Sequence, residues 1–450
     1  MVVLYDDILF LVLDHIDDTK DRLRILLVCR QWYTALLPKA YERIRVEGEQ
    51  VYDLVCSIQR NPLIGPSIQD LDLTWGGDDD SIEYNVEPFK HILDQASPSA
   101  EHRKNWEKDL LKGESDAWLA VLMPSLEAVR VLWIQYPGYS DYFFPMLARA
   151  AAREAPFDTN PVLQRLNSVR AECEYSKTAY LAKEFLPFLH FPAIRSFSAS
   201  PFCEAYDDHD VNYSKPAPET SRIRELEFGQ SNGSNGMIDY ITSCANLEVF
   251  DYQHDNQAIW GEIYLNFRPL AFYTALYTQR HSLRVLRLNN NGEINGEDDW
   301  AADDEIDYTT FGSLVEFQQL RELRMPLRTL LQFGQNDYPA VSLLEVLPSS
   351  LEHLQLAGYC VEDFDLVMRN LQSMLGQRQE RFPNFKRLEI QPVVIERDHS
   401  VLAAYGAFRI PESIKHAFAP LKMQCEDLGI QFDFTQDGHH TILGPDLVWQ

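Results

Sequence analysis

The chain has 450 residues, 45% of them apolar, and a formal net charge of −28. So acidic a chain repels the phosphates of nucleic acid and of anionic lipid, and neither is expected as a main partner. No apolar run approaches the roughly eighteen residues of a membrane span, and the seven cysteines stand far apart without a C-x-x-C, which argues against a disulfide scaffold and a structural zinc site.

The chain opens with "MVVLYDDILFLVLDHI", which carries Asp6, Asp7 and Asp14 and lacks a basic leader. The expectation is an intracellular protein, cytoplasmic or nuclear. "DDILFLVLDHI" (6–16) predicts an amphipathic helix with its acids in the first turn, where the helix dipole favours them. "DDTKD" (17–21) breaks the pattern and offers N-caps. "LRILLVCRQWYTALL" (23–37) predicts a second helix, ended by Pro38. It is apolar on more than one face, so more than one side must be covered. About forty residues do not build that cover alone, so either the rest of the chain or a separate protein has to supply it.

Leu4, Ile8, Leu9, Leu13, Ile16, Asp21, Leu23, Val28, Cys29, Arg30, Trp32 and Leu36 together resemble an F-box. "WYTALLPKAYERI" (32–44) is similar to the continuation seen in fungal members. Tyr5 stands where the family has proline. Arg22 stands where it has leucine, with Leu23 as a substitute. The resemblance implies a small all-α domain, residues 1–46, that docks on a Skp-family adaptor and through it on a cullin-RING ligase. By the same resemblance the adaptor contacts are Leu4, Tyr5, Ile8, Leu9, Val28, Cys29 and Trp32. Trp32 is alternatively an internal anchor of the domain. A helical cap on the following domain, without an adaptor, is the other reading of these helices.

Beyond residue 46 a six-residue phrase recurs, with apolar residues at its first, fourth and sixth positions. It reads "IQDLDL" at 68, "LEAVRV" at 126, "LNSVRA" at 166, "IRSFSA" at 194, "IRELEF" at 223, "LEVFDY" at 247, "LRVLRL" at 283, "LRELRM" at 320, "LEHLQL" at 351 and "FKRLEI" at 385, with "GIQFDF" at 429 as an eleventh candidate. Helical segments are expected between them, over 85–96, 102–122, 139–154, 177–190, 263–279, 361–377 and 411–429. This is the L-x-x-L-x-L pattern of a leucine-rich repeat, in which each strand and its return bury apolar residues only against neighbours. The fold class expected is α/β: the F-box, then an irregular leucine-rich-repeat-like solenoid of parallel strands with helical returns over 47–450. Only Asn291 fits the asparagine ladder of a regular repeat.

The residue between the last two apolar positions is never apolar. In a strand it points away from them, so stacked strands make one polar row. Arg130, Arg170, Glu227, Asp251, Arg287, Arg324, Gln355 and Glu389 on that row are the candidate contacts for a client protein; solvation is the other use of such a row. The arginines either hold phosphate or pair with the acids beside them. Acid runs at 76–83, 204–210 and 295–307 are solvated loops or docking surfaces for a basic partner.

No G-x-G-x-x-G, phosphate-binding loop, G-x-S-x-G or H-E-x-x-H is present. Asp208-His209-Asp210 and His439-His440 read as surface residues. The aromatic cluster Trp133, Tyr136, Tyr139, Tyr142, Phe143 and Phe144 reads as packing. No cofactor, metal or catalytic group is expected. The function expected is that of a non-enzymatic substrate receptor in an SCF-type ubiquitin ligase, with an interaction scaffold lacking a ligase as the alternative.

Overall fold

A computed structural model describes residues 6–16, 18–48, 50–74, 83–135, 140–173, 179–204, 214–233, 235–254, 267–289, 311–331, 341–359, 364–392 and 412–434. Leu4, Tyr5, Tyr136, Tyr139, Asn291, Cys360, both His-containing pairs and most of the acid runs lie outside them.

The N-terminal part is helical: α1 (Asp6–Asp14), α2 (Thr19–Ile25) and α3 (Arg30–Ala40). Asp18 caps α2, its carboxylate accepting from the amide of Asp21 at 2.9 Å. The single helix expected over 23–37 is in fact two. The chain leaves α2 after Ile25, turns through Leu26–Cys29, and restarts at Arg30. Cys29 is extended there (φ −161°, ψ 164°), and its Sγ accepts from the amide of Trp32. Pro38 lies inside α3 rather than ending it. It removes one amide near the helix end, a small loss compared with that in a helix centre.

Leu9, Leu13, Leu26, Leu36, Leu37 and Ala40 are the buried apolar residues of these helices. Arg22 is buried with them, only 3% exposed. Its guanidinium donates to the carbonyl of Lys39 in the last turn of α3, at 3.0 Å, and to that of Arg43, at 2.7 Å. A leucine has no means of making that double contact. The substitution noted in the sequence is a staple joining α2, the end of α3 and the first strand. Asp14 adds ion pairs to Lys39 (2.8 Å) and Arg43 (3.2 Å), and Lys39 holds its carboxyl below the usual carboxylate range.

Beyond the helices, parallel strands pair in chain order within each of two units. The chain divides into two compact units, Met1–Ser200 with Asp207–Ile223, and Pro201–Tyr206 with Arg224–Gln450. The first unit holds β1 (Arg43–Glu47), β2 (Asp70–Thr74), β3 (Val131–Gln135), β4 (Ser168–Glu172) and β5 (Ser196–Ser200). The second holds β6 (Glu225–Ser231), β7 (Val249–His254), β8 (Val285–Asn289), β9 (Glu322–Pro326), β10 (His353–Tyr359), β11 (Arg387–Pro392) and β12 (Gln431–Phe434). Strands β2, β4 and β5 to β12 fall on the expected phrases. Strand β1, with Ile44 and Val46 buried between Arg43, Arg45 and Glu47, was not foreseen. Neither was α4 (Gln50–Arg60), which returns the chain from β1.

The expected returns form, shortened and in places divided. The segment 102–122 is two helices, α6 (Ala100–Lys112) and α7 (Ser115–Leu122), following α5 (Lys90–Ala96). Gly113 separates them at φ +86°, where a Cβ would stand 2.4 Å from the ring of Tyr84; that left-handed turn admits glycine and little else. The helix foreseen at 139–154 is α8 (Phe143–Ala152). Tyr142, Phe143 and Phe144 are buried, as the packing reading expects.

Burial alternates along β1 to β5, β7 and β8, whereas β9 is buried at every position after its first. Leu71, Leu73, Leu132, Ile134, Val169 and Phe197 point inward in the first unit; Leu226, Phe250, Leu286, Leu323, Leu354 and Leu388 do so in the second. Each such side chain contributes about 1.5–3 kcal/mol on burial, but only when a neighbouring strand covers it.

Replacing Arg22 by alanine removes the guanidinium donors to two part-buried carbonyls, of which that of Lys39 keeps the amide of Glu42 at 3.3 Å, and removes the packing of a buried side chain. It should cost the N-terminal helices about 2–3 kcal/mol. The amides of α2 and α3 should then exchange with solvent deuterium about 30-fold or more faster. Lysine, lacking the fork, should not restore protection. Unchanged exchange in Arg22→Ala would contradict the staple.

Candidate partner-binding surfaces

Two surfaces come from these elements. The first is on the N-terminal helices. Helix α1 has two apolar stripes. Leu9 and Leu13 point inward, while Ile8, Leu11 and Val12 are exposed. Leu27 and Val28, in the turn after α2, are exposed as well, as is Tyr33 on α3. Among the described residues twelve large apolar side chains are exposed, and six of them lie between residues 8 and 33. Single exposed apolar residues need no explanation; this concentration does.

Of the expected adaptor contacts, Ile8, Val28 and Cys29 are exposed and Trp32 is half-buried. Leu9 is a correction. It is 4% exposed and belongs to the interior, one helical position away from the outward stripe. Leu11, Val12 and Leu27, absent from the expected set, are exposed beside them. A helical-wheel split of α1 into two stripes four residues apart was available in the sequence and would have found the first two.

The second surface is the polar row. Register aligns Arg45 with Asp72, Asp72 with Trp133, Trp133 with Arg170, and Arg170 with Ser198 in the first unit. In the second, Glu227, Asp251, Arg287, Arg324, Gln355, Glu389 and Asp433 align in turn. Arg130 is a correction: Trp133 occupies its place. The phrase "LEAVRV" overlaps a second match, "VRVLWI", three residues on, and the strand forms on the latter. Arg130 precedes the strand and is exposed; its amide donates to the carbonyl of Gln69, at 2.7 Å.

Much of this row is occupied with itself. Arg287 donates to Glu322 at 2.7 Å and to Asp251 at 3.1 Å. Its neighbours thus hold it as acid partners, the second of the two uses weighed for the arginines. Arg324 donates to the side-chain oxygen of Gln391 at 3.2 Å. His353 lies 3.3 Å from Glu389, and Arg387 pairs with Glu389 too. Arg324, Gln355 and Glu389 are 9%, 7% and 6% exposed. The open row expected across these three positions is therefore closed. Arg170, Glu227, Asp251 and Arg287 remain half-exposed. In the first unit the guanidinium of Arg170 sits 5.8 Å from the centre of the Trp133 ring, a cation–π arrangement.

His353 and Arg287 beside Glu322 hold its carboxyl down to about 2, against burial. A depressed folded value stabilises the protein above the unfolded value of 4.5 and loses that contribution as pH falls towards 2.

No cluster of three or more histidine, cysteine, aspartate or glutamate side chains suited to a metal ion occurs among the described residues, and no described helix is long and apolar enough to cross a membrane. The geometry presents an exposed apolar stripe on a small helical domain and a polar row, partly paired with itself, on stacked strands. Comparison with family models finds the two modules on which these surfaces lie. The chain belongs to the leucine-rich repeat domain family, whose model matches residues 86–426, and it carries an F-box at residues 1–35. It is an F-box protein that interacts with other proteins, and both its modules are of types that are typically non-catalytic. A search of curated proteins found no match.

Replacing Glu322 by glutamine should lower stability by about 1–2 kcal/mol at pH 7, the undiscounted shift being reduced for the partial exposure of the pair. The gap between parent and variant should narrow between pH 4.5 and pH 2, in the sense worked out above. Urea titrations at several pH values check this; a gap constant down to pH 3 would remove the ion pair from the account.

Proposed function

We propose that the chain is a substrate receptor of an SCF-type cullin-RING ubiquitin ligase. The F-box, taken as residues 1–46, docks on a Skp-family adaptor, and the repeat domain over 47–450 holds the client. The chain does no chemistry itself. It raises the effective concentration of a client lysine beside the charged ubiquitin-conjugating enzyme, which is a contribution of position alone. The cytoplasm and the nucleus are the compartments in which this would operate.

The observation that carries the reading is the outward stripe of Ile8, Leu11 and Val12 together with Leu27 and Val28. A helix that buries one apolar stripe and exposes another is suited to a partner helix or groove. Arg22 supports it as well. It departs from the family pattern, but it points inward and leaves the exposed stripe intact. Client contact falls to the half-exposed row residues Arg170, Glu227, Asp251 and Arg287 and to Trp133.

Co-expression with the Skp-family adaptor of the same organism should give a one-to-one complex on size-exclusion chromatography. Val28→Asp and Ile8→Asp should each weaken it at least 30-fold, about 2 kcal/mol, with unchanged circular dichroism. Leu9→Asp is not a usable test, because it charges the interior. Absence of a complex, or full binding by both variants, would reject the adaptor reading and leave a scaffold without a ligase.

A further inference from the structure

In the second unit the residue just before each of β6 to β11, save β12, belongs to a row of its own along one rim of the strands. Its backbone is fixed. The amide of Glu248 donates to the carbonyl of Arg224, that of Arg284 to Glu248, that of Arg321 to Arg284, that of Glu352 to Arg321 and that of Lys386 to Glu352, each at 2.8 Å. Neighbouring positions are therefore one strand spacing apart, about 4.8 Å. Arg224 and Arg284 pair with Glu248 at 3.0 and 3.3 Å, and Arg321 and Lys386 pair with Glu352 at 3.7 and 2.6 Å.

Exposure along this row is uneven. The four cations are 54–69% exposed, while the two carboxylates between them are 24% and 29% exposed. The acids are largely covered and the cations face solvent. Arg284 and Arg321 are direct neighbours with no acid between them, and each turns to a carboxylate on its far side. Like charges side by side on adjacent strands are unfavourable. The chain has carboxylates to spare, 68 acids against 40 bases, yet none stands in the segments 245–247, 281–283, 318–320, 349–351 and 383–385 that lead into these strands. Glu322, next after Arg321, is taken up by Arg287 at 2.7 Å. Glu225 is exposed beside Arg224 and offsets its charge. The part of the rim with cation in excess thus runs from Arg284 to Lys386.

We propose that this rim docks an extended acidic segment of a partner protein, one carboxylate entering between Arg284 and Arg321 and another reaching Lys386. Carboxylates make charge-assisted hydrogen bonds with guanidinium forks, and an anion between the two arginines relieves their like-charge contact. The span is three strand spacings, about 14 Å, which about four residues of extended chain cover. At physiological ionic strength charges farther than about 8 Å are screened, so a segment on the rim meets these side chains rather than the net charge of −28. The rim is distinct from the row that holds Arg287, and the proposal concerns the chain alone, whether or not an adaptor binds.

Fluorescence anisotropy of the full chain with a labelled Gly-Asp-Glu-Asp-Glu-Asp-Gly peptide tests it. At about 0.1 M salt a dissociation constant below about 0.2 mM is expected, weakening at least fivefold at about 0.5 M. The neutral counterpart, with Asn and Gln for the acids, should not bind. Arg284→Gln combined with Arg321→Gln should weaken the peptide at least tenfold while the urea midpoint holds or rises, because a like-charge contact is gone; arginines with a purely structural role would lose stability instead. Arg369→Gln, at an exposed cation on the helix Phe364–Gly376, should leave binding unchanged. No binding of the acidic peptide, equal binding of the neutral one, full binding by the double variant, or an equal loss in Arg369→Gln would overturn the proposal. Inorganic phosphate binding as tightly as the peptide would also overturn it, in favour of a single-anion site. An adaptor complex without peptide binding rejects the rim and leaves the receptor reading; peptide binding without an adaptor complex does the reverse.

Discussion

Each strand of this protein presents two apolar side chains on one face and has nothing of its own to cover them. Everything else follows from that constraint. A five-residue strand with the burial alternation of β2 or β8 is stable only between parallel neighbours in register. Register in turn sets what stands on the other face. Because the side-chain period is two, the residue between the buried pair of each strand meets its counterpart on the next. A polar row is thus an automatic product of stacking, before any function is considered. What evolution adds is the choice of residues along it, and in the second unit that choice is mutual satisfaction: Arg287 between Asp251 and Glu322, His353 and Arg387 beside Glu389.

The same constraint explains how the small helical domain stands at the start of such a chain. Three short helices bury only a handful of leucines. Arg22 makes up the shortfall by spending its guanidinium on two carbonyls, one from the last turn of α3 and one from β1. The helices are therefore tied to the first strand, and their remaining apolar surface stays exposed.

Much of this was legible in the sequence, because the L-x-x-L-x-L period is itself the burial pattern. The errors have physical causes. "LEAVRVLWI" satisfies the pattern in two frames, and the local sequence does not choose between them; packing of Leu132 and Ile134 does, and so puts Trp133 rather than Arg130 on the row. Strand β1 escaped because its phrase, "YERIRV", offers a tyrosine where the pattern wants leucine. Leu9 and Ile8 are adjacent and equally apolar, so only the wheel of α1 separates inside from outside. The contacts between distant residues were beyond reach. Asp116 on α7, pushed up to about 6 by burial, accepts from Ser140 and from the amides of Asp141, Tyr142 and Phe143, and so starts α8. Nothing in the spacing of those residues announces it.

The central claim is that the outward apolar stripe of the N-terminal helices is an adaptor-binding surface and the strand face is not. Hydrogen–deuterium exchange of the full chain, with and without the Skp-family adaptor, tests it most directly. The account predicts slower exchange in α1 and through residues 26–33 when the adaptor is added, with β6 to β12 unchanged. Slower exchange confined to the strands, or none anywhere at saturating adaptor, would contradict it.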